Sequence, residues 1–561
     1  MWEALGTVRD LGRLQEIARV LVRYGFGDVA RRIGLAGALE RAGRLVHWHA
    51  VEAGLLQLDT AARVRAALQD LGPTYVKLGQ VLATRVDLLP PRWIEELSAL
   101  QNAVPAVDFE RVRPQLEEDL GADPDSVFAE LAHVPMAAAS LAQAHAARLH
   151  DGTAVVLKVR RPGIREVVEA DLRLLRHVAV IVEKQMPELA RFHPAEMLRQ
   201  FAASLLRELD FAAECRNAER VARNFQGDPR IVVPKVYWQG TSERLNVQER
   251  LEGIPGYDLA AGDAAGLDRA ELARTGAGIV LKMVLEDGFF HADPHPGNIF
   301  YMPGGAIGVI DFGMVGHVSE PRRFQIVRLL HGLVDQDAEA VADVLVEWTG
   351  DNPDIDEARL QEAVERFVAQ YRGVPLKDLR IGAMLGDVAA ILRSHALVLP
   401  PDLALMIKTF LTLEGMGRRL DPDFDMATEA RPFLERALLA RYRPSMLARR
   451  GRRAALNAFD LLRDMPRDLH RLLRAARRGR MRVQVEVDAL KAFGDQVDRA
   501  VSRLTLGVVT AALIVGSSIV LNSAGGVSSS GLRVLGTIGF IGAAAGGLWV
   551  LFSIWRGGRR K

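Results

Sequence analysis

From Leu504 to Gly525 and from Val534 to Ile554 the chain carries no charged residue, and no other feature restricts its folding so sharply. Each run is close to the ~20 residues that a helix needs to cross ~30 Å of hydrocarbon. In lipid, a single segment can satisfy its backbone hydrogen bonds only as a helix. The sequence therefore predicts two transmembrane helices, and the short linker GVSSSGLR makes them a hairpin. Gly542 and Gly546 in one run, and Gly507, Ala511 or Ala512, and Gly516 in the other, recur at helical spacing and would let the backbones approach closely. Arg503 precedes the first span, and Arg556, Arg559, Arg560 and Lys561 follow the second. The positive-inside bias then puts both termini and the large remaining domain on the cytoplasmic side, and the expected location is the cell (inner) membrane. The competing reading is a helical hairpin buried in a soluble core.

The segment before the hairpin has its own charge pattern. Between 441 and 482 there are fourteen arginines against three aspartates. Beside a membrane, such a run favours anionic lipid head groups as partners, with a solvated helix face or nucleic-acid contact as the alternative. The whole chain is nearly balanced, 72 Lys and Arg against 70 Asp and Glu, and gives no reason to expect nucleic acid. One cysteine, Cys215, excludes an intrachain disulfide framework. The N-terminus has charges every few residues, which fits an amphipathic helix and not a signal peptide.

At 561 residues, the length suggests two to four structural units. The first 134 residues read as helices punctuated by prolines. GTAVVLKVRRPG, from 152 to 163, changes the period and reads as a β-strand, with a further strand or loop in PMAAASLAQAHAARL and short strands in RIVVPKVYWQG and RLNVQERLEG. IFYMPGGAIGVIDFG reads as a hairpin turning on Pro303-Gly304-Gly305, and helices dominate from Gly316 to 440. The expected division is a helical extension (1–134), a small lobe containing strands (135–255), a helical lobe (256–440), a basic segment (441–503), the hairpin (504–554) and a basic tail (555–561).

FFHADPHPGNIF, from 289 to 300, carries the chemistry. His291, Asp293 and Asn298 fit H-x-D-x-x-x-x-N, the intervals of a protein-kinase catalytic loop, in which the aspartate positions the attacking group and the asparagine binds a metal. Asp311-Phe312-Gly313 follows a short apolar strand, as does the aspartate that grips magnesium on the phosphates of ATP. A zinc site from His291, Asp293 and His295 is the alternative, weakened by Pro294 and Pro296 between the ligands and by the lack of a second histidine cluster. Lys158, in Val155-Val156-Leu157-Lys158, has the form of the lysine that contacts the α and β phosphates. Its carboxylate partner lies in RELDFAAEC; Glu208 and Glu214 are six residues apart and cannot both be aimed at it, so Glu214 is favoured and Glu208 stays open.

Several kinase features are missing. Pro135-Met136-Ala137-Ala138-Ala139-Ser140 stands where a glycine-rich loop would be, Ala292 stands where the loop arginine would be, and no A-P-E follows Asp311-Phe312-Gly313. Together with Lys77-Leu78-Gly79-Gln80 and Glu208-Leu209-Asp210, these departures resemble the UbiB/ADCK atypical kinase-like family over roughly residues 60–425 and into the hairpin. The resemblance implies an α+β, protein-kinase-like two-lobed fold with a helical N-terminal extension and a C-terminal transmembrane hairpin. It also implies that Ala137, Ala138, Ala139, Ser140, Lys158 and Glu214 line the ATP site, that Asn298 and Asp311 hold Mg2+, and that Asp293 is the base or water-positioning group. In this family the K-x-G-Q helix covers the site, bringing Lys77 and Gln80 to Glu208 and Asp210. The implied role is ATP hydrolysis or phosphotransfer in ubiquinone (coenzyme Q) biosynthesis, with quinone precursors or quinone biosynthetic enzymes as partners. A true protein kinase and a non-catalytic nucleotide-binding scaffold are the rival readings, and an oligomer is compatible with either.

Overall fold

The computed structural model describes residues 8–32, 58–85, 88–100, 104–186, 193–335, 337–349, 357–371, 380–395, 397, 399–441 and isolated positions between 509 and 541. Residues 1–449 form one compact unit and 450–561 another. In the second unit Val509, Ala511, Ala512, Val515, Gly516, Ser518 and Ile541 are helical and exposed. The rest of the expected hairpin, the basic segment after Arg441 and the C-terminal tail lie outside the described residues. Among the described residues, no helix is long and apolar enough to cross a membrane.

The helical extension comprises α1 (Val8–Arg23), α2 (Gly27–Arg32), α3 (Thr60–Leu71), α4 (Pro73–Thr84), α5 (Pro91–Ser98), α6 (Phe109–Leu120) and α7 (Pro124–Val127). It meets a sheet of β1 (Glu130–Leu131), β2 (Ala137–Ala138), β3 (Ala142–Arg148), β4 (Ala154–Arg160) and, later in the chain, β6 (Leu245–Glu249). The strand order is β1-β3-β4-β6, with β2 also on β3. Alternation along β4 sends Val155, Leu157 and Val159 into a core with Leu245 and Val247 of β6 and with Phe109, Val112 and Leu116 of α6. Lys158 consequently faces the other side. Ala137, Ala144, Lys158 and Asn246 stand opposite one another across β2, β3, β4 and β6, so the alanine-rich loop and the lysine share that face.

Three helices follow β4: α8 (Ile164–Gln185), α9 (Pro194–Glu208) and α10 (Phe211–Asn224). Helices α9 and α10 are separated at Leu209–Asp210, where the Asp210 side chain caps α10 by accepting the Ala213 N–H at 3.1 Å. That break separates Glu208, the last residue of α9, from Glu214, in the first turn of α10.

The helical lobe begins after β5 (Ile231–Val232) and β7 (Ile254–Pro255) with α11 (Leu259–Ala264) and α12 (Arg269–Leu281), which continues into a π-helical turn over Lys282–Asp287. The hairpin expected on Pro303-Gly304-Gly305 is present as β9 (Ile299–Tyr301) and β10 (Ile307–Val309), antiparallel with Ile307 opposite Tyr301. The pair β8 (Phe289–His291) and β11 (Val315–His317) brackets the catalytic-loop motif and Asp311-Phe312-Gly313. Helices α13 (Glu320–Asp335), α14 (Ala338–Thr349), α15 (Glu357–Tyr371), α16 (Ile381–Ser394), α17 (Pro401–Leu420) and α18 (Met426–Arg441) complete the lobe. Their apolar faces join Phe290, Phe312, Leu345, Leu385 and Phe410 in one continuous core.

Candidate active site

Lys158 is the hub of the cleft. Its Nζ donates to Glu214 Oε1 at 2.9 Å, to Glu214 Oε2 at 2.8 Å and to Asp311 Oδ1 at 3.1 Å. A strand, a helix and the Asp-Phe-Gly segment, separated by up to 153 residues, therefore meet at one ammonium group. Burial opposes charge on Lys158, but Asp311 and Glu214 outweigh it and hold the lysine well above its usual range. Asp311 responds in the opposite sense: burial would raise it, and Lys158 and Lys77 hold it well below the usual carboxylate range. Burial pushes Glu214 up despite Lys158, with Asp311 and Glu208 nearby adding to the rise.

Asp311 has φ of +60°, a left-handed conformation that costs a non-glycine residue energy. Its Oδ1 also accepts the Gly313 N–H at 3.3 Å, a local bond that helps hold the bend. Asn217 of α10 donates to the Phe312 carbonyl oxygen at 3.1 Å, tying the helix that carries Glu214 to the same segment.

On the opposite wall, His291 is buried and uses both ring nitrogens on backbone: Nε2 donates to the Ile310 carbonyl oxygen at 3.1 Å, and Nδ1 accepts the Asp293 N–H at 3.1 Å. Burial lowers its pKa and favours this neutral form. The zinc alternative fails on this geometry, because no lone pair of His291 is free for a metal. Among the described residues, no group of three or more His, Cys, Asp and Glu side chains could hold a metal ion. Asn298 donates its amide to the Asp293 carbonyl oxygen at 3.1 Å, and its own carbonyl accepts the Ile310 N–H at 3.0 Å. This brings Asn298 beside the residue that precedes Asp311. The Asn298 Oδ1 and the Asp311 carboxylate are hard oxygen donors of the kind Mg2+ takes, so the residues fit the ion.

Asp293 itself is paired with Lys408 of α17, whose Nζ lies 2.8 Å from Oδ1. Burial would raise the Asp293 pKa, but Lys408 overrides it and the carboxylate is held below its ordinary value. No spacing in the catalytic-loop motif announces this partner, which lies 115 residues downstream. The one available signal is that Lys408 is the single charged residue between Asp402 and Glu414.

Over the cleft, Lys77 pairs with Glu208, and Asp311 and Asp293 add to the field that keeps this lysine charged. Gln80 donates to the Leu100 carbonyl oxygen at 3.2 Å, while Asp210, besides capping α10, accepts Arg216 at 3.1 Å. Gly79 is a packing requirement: a Cβ there would run into Leu100 and come within 2.9 Å of Leu68. In the alanine-rich loop, Ser140 is buried and the Ala139 N–H donates to the Ala142 carbonyl oxygen at 2.8 Å. That N–H is therefore committed to the turn.

A two-lobed cleft with a strand lysine, a helix glutamate and an Asp-Phe-Gly aspartate defines a kinase-like protein. The comparisons agree: an ABC1 atypical kinase-like domain matches residues 99–345, a UbiB helical domain 364–425 and an ABC1/UbiB kinase-like C-terminal domain 488–556. The chain is 33% identical to the probable protein kinase UbiB of Xylella fastidiosa over 98% of this chain and all of that one. It is 34% identical to the Xanthomonas campestris protein of the same name over 92% and 93% of the two chains. The Pseudomonas aeruginosa protein is 36% identical over 78% and 83%. A Mycobacterium tuberculosis structure described as a complex with erythromycin matches at 20% identity and a TM-score of 0.46, covering 67% of this chain and 96% of that one. The chain belongs to the UbiB family of atypical kinase-like proteins.

Proposed function

We propose that this chain is a membrane-anchored ATPase of the atypical kinase class that binds Mg-ATP between its lobes and supports ubiquinone biosynthesis. The observation that carries the reading is the bridge from Lys158 to Glu214 and Asp311, which assembles the parts of a triphosphate site from three remote segments. Lys158 would contact the α and β phosphates, and Asn298 and Asp311 would hold Mg2+, which supplies positive charge to the phosphate oxygens. Asp293 would orient the attacking water or acceptor hydroxyl.

Hydrolysis or transfer to a small lipid acceptor is favoured over a protein substrate. Helix α4 packs on α8 and α9 as well as on α17, and the Lys77–Glu208 pair lies at the cleft. A protein acceptor would have to displace that helix. The uncharged runs at 504–525 and 534–554 and the arginine-rich segment support placement at the cytoplasmic face of the inner membrane, against anionic head groups and close to apolar quinone precursors.

The test is ATP turnover by the purified full-length protein, with and without anionic liposomes and a phenolic quinone-precursor analogue. Mg2+-dependent hydrolysis stimulated by both additions is expected. Phosphate transfer to added membrane proteins in place of hydrolysis would favour the protein-kinase reading, and normal cellular quinone levels from a variant that binds no nucleotide would favour the scaffold.

A further inference from the structure

We propose that Lys408 is a positioning residue of the phosphoryl-transfer site and acts through Asp293. The inference rests on the ATP-turnover reading above and adds to it a residue from outside the kinase-like core, since Lys408 lies within the matched UbiB helical domain.

Asp293 is fixed at its backbone from two sides, by the N–H that donates to His291 and by the carbonyl oxygen that accepts from Asn298. Neither bond sets the direction of its side chain. Among the described residues, the carboxylate is oriented by Lys408, at 2.8 Å. The loop from His291 to Asn298 contains no lysine or arginine, so its cation must come from elsewhere in the chain.

Helix α17 is a rigid mount for that cation. Leu403, Ala404, Met406, Ile407 and Phe410 are essentially fully buried, so the helix cannot turn to withdraw the lysine without opening the core. The charges around Asp293 give the pair its purpose. Asp311 lies on the facing segment, and a bound triphosphate would add more negative charge at the same point. Without Lys408, Asp293 would meet that charge with no cation bonded to its own oxygen, and the ion pair offsets the repulsion. The pair is partly exposed on both sides, a setting in which ion pairs contribute little to folding, so its main effect falls on the direction of the Asp293 carboxylate and not on stability.

The test uses the full-length protein and the variants Lys408→Ala, Lys408→Arg, Asp293→Asn and the Lys408→Ala/Asp293→Asn pair. Lys408→Ala should lower kcat for Mg-ATP on the order of 10-fold to 100-fold, as expected when a reacting geometry loosens, with KM and nucleotide affinity unchanged within about two-fold. Lys408→Arg should recover part of the loss. On the Asp293→Asn background, Lys408→Ala should add nothing, because the residue it orients has already been altered. Lys408→Met, which keeps the apolar stem, replaces the alanine variant if that one melts early. An unchanged kcat, or an equal loss on both backgrounds, overturns the proposal while leaving the ATP-turnover reading intact. A wild-type protein that binds Mg-ATP and never turns it over removes the reading, and this proposal falls with it.

Discussion

The two walls of the cleft handle charge differently. On the strand wall one lysine, Lys158, faces two carboxylates, Glu214 and Asp311, and the second of these sits in strained left-handed backbone. On the loop wall one lysine, Lys408, faces one carboxylate, Asp293, which is not in left-handed backbone. The strand wall therefore carries an excess of negative charge that a divalent cation can neutralise, and the loop wall is already balanced. Under the proposed function the contrast divides the labour: the strand-wall groups take the nucleotide and, together with Asn298 from the loop wall, the metal, while the Lys408–Asp293 pair orients the attacking group.

The largest effect should come from breaking the strand wall. Lys158→Met is expected to lower ATP turnover on the order of 100-fold and to weaken Mg-ATP binding, as read by turnover kinetics and calorimetry. It should also lower the melting temperature, because Glu214, already pushed up by burial, loses the cation that offsets it and must stay buried without its partner. Adding Glu214→Gln should restore the melting temperature and not the turnover. Recovery of both would mean that the lysine only holds the helix.

A smaller effect is expected where α4 covers both walls. Gly79→Ala places a methyl group against Leu100 and Leu68 and should destabilise the protein by about 1–3 kcal/mol, the usual cost of overpacking. Chemical denaturation measures it; an unchanged midpoint would show that α4 shifts freely. The smallest expected signal is an absence of reaction. Cys215 lies next to Glu214 on α10, and burial pushes its thiol up to about 12, so at pH 8 the reactive thiolate is about one part in 10⁴. The folded protein should resist alkylation until denaturant is added. Rapid labelling would mean that the strand wall opens.

Most of both walls was legible in the sequence, and one pairing on each was not settled there. Lys158 stands in a run of β-branched residues, and Asp293, Asn298 and Asp311 keep short, fixed intervals, so local spacing announces them. The assignment of Glu214 over Glu208 needed the helix break at Asp210, and once that break exists each glutamate finds a lysine of its own, Glu214 with Lys158 and Glu208 with Lys77. Lys408 could not be matched to Asp293, because packing of a distant helix leaves no periodic trace. The same holds for Arg13 of α1, which reaches Asp171 of α8 at 2.6 Å across 158 residues and also donates to the Leu71 carbonyl oxygen just before α4.

Magnesium-dependent ATP binding by the wild-type protein and by Asp311→Asn, followed by isothermal titration calorimetry, tests the central claim most directly. Saturable binding that needs Mg2+ in the wild type, and its loss in the variant with the fold retained, is the predicted result. Equal affinity in both proteins, or binding indifferent to Mg2+, would contradict a nucleotide site organised around Lys158, Asn298 and Asp311.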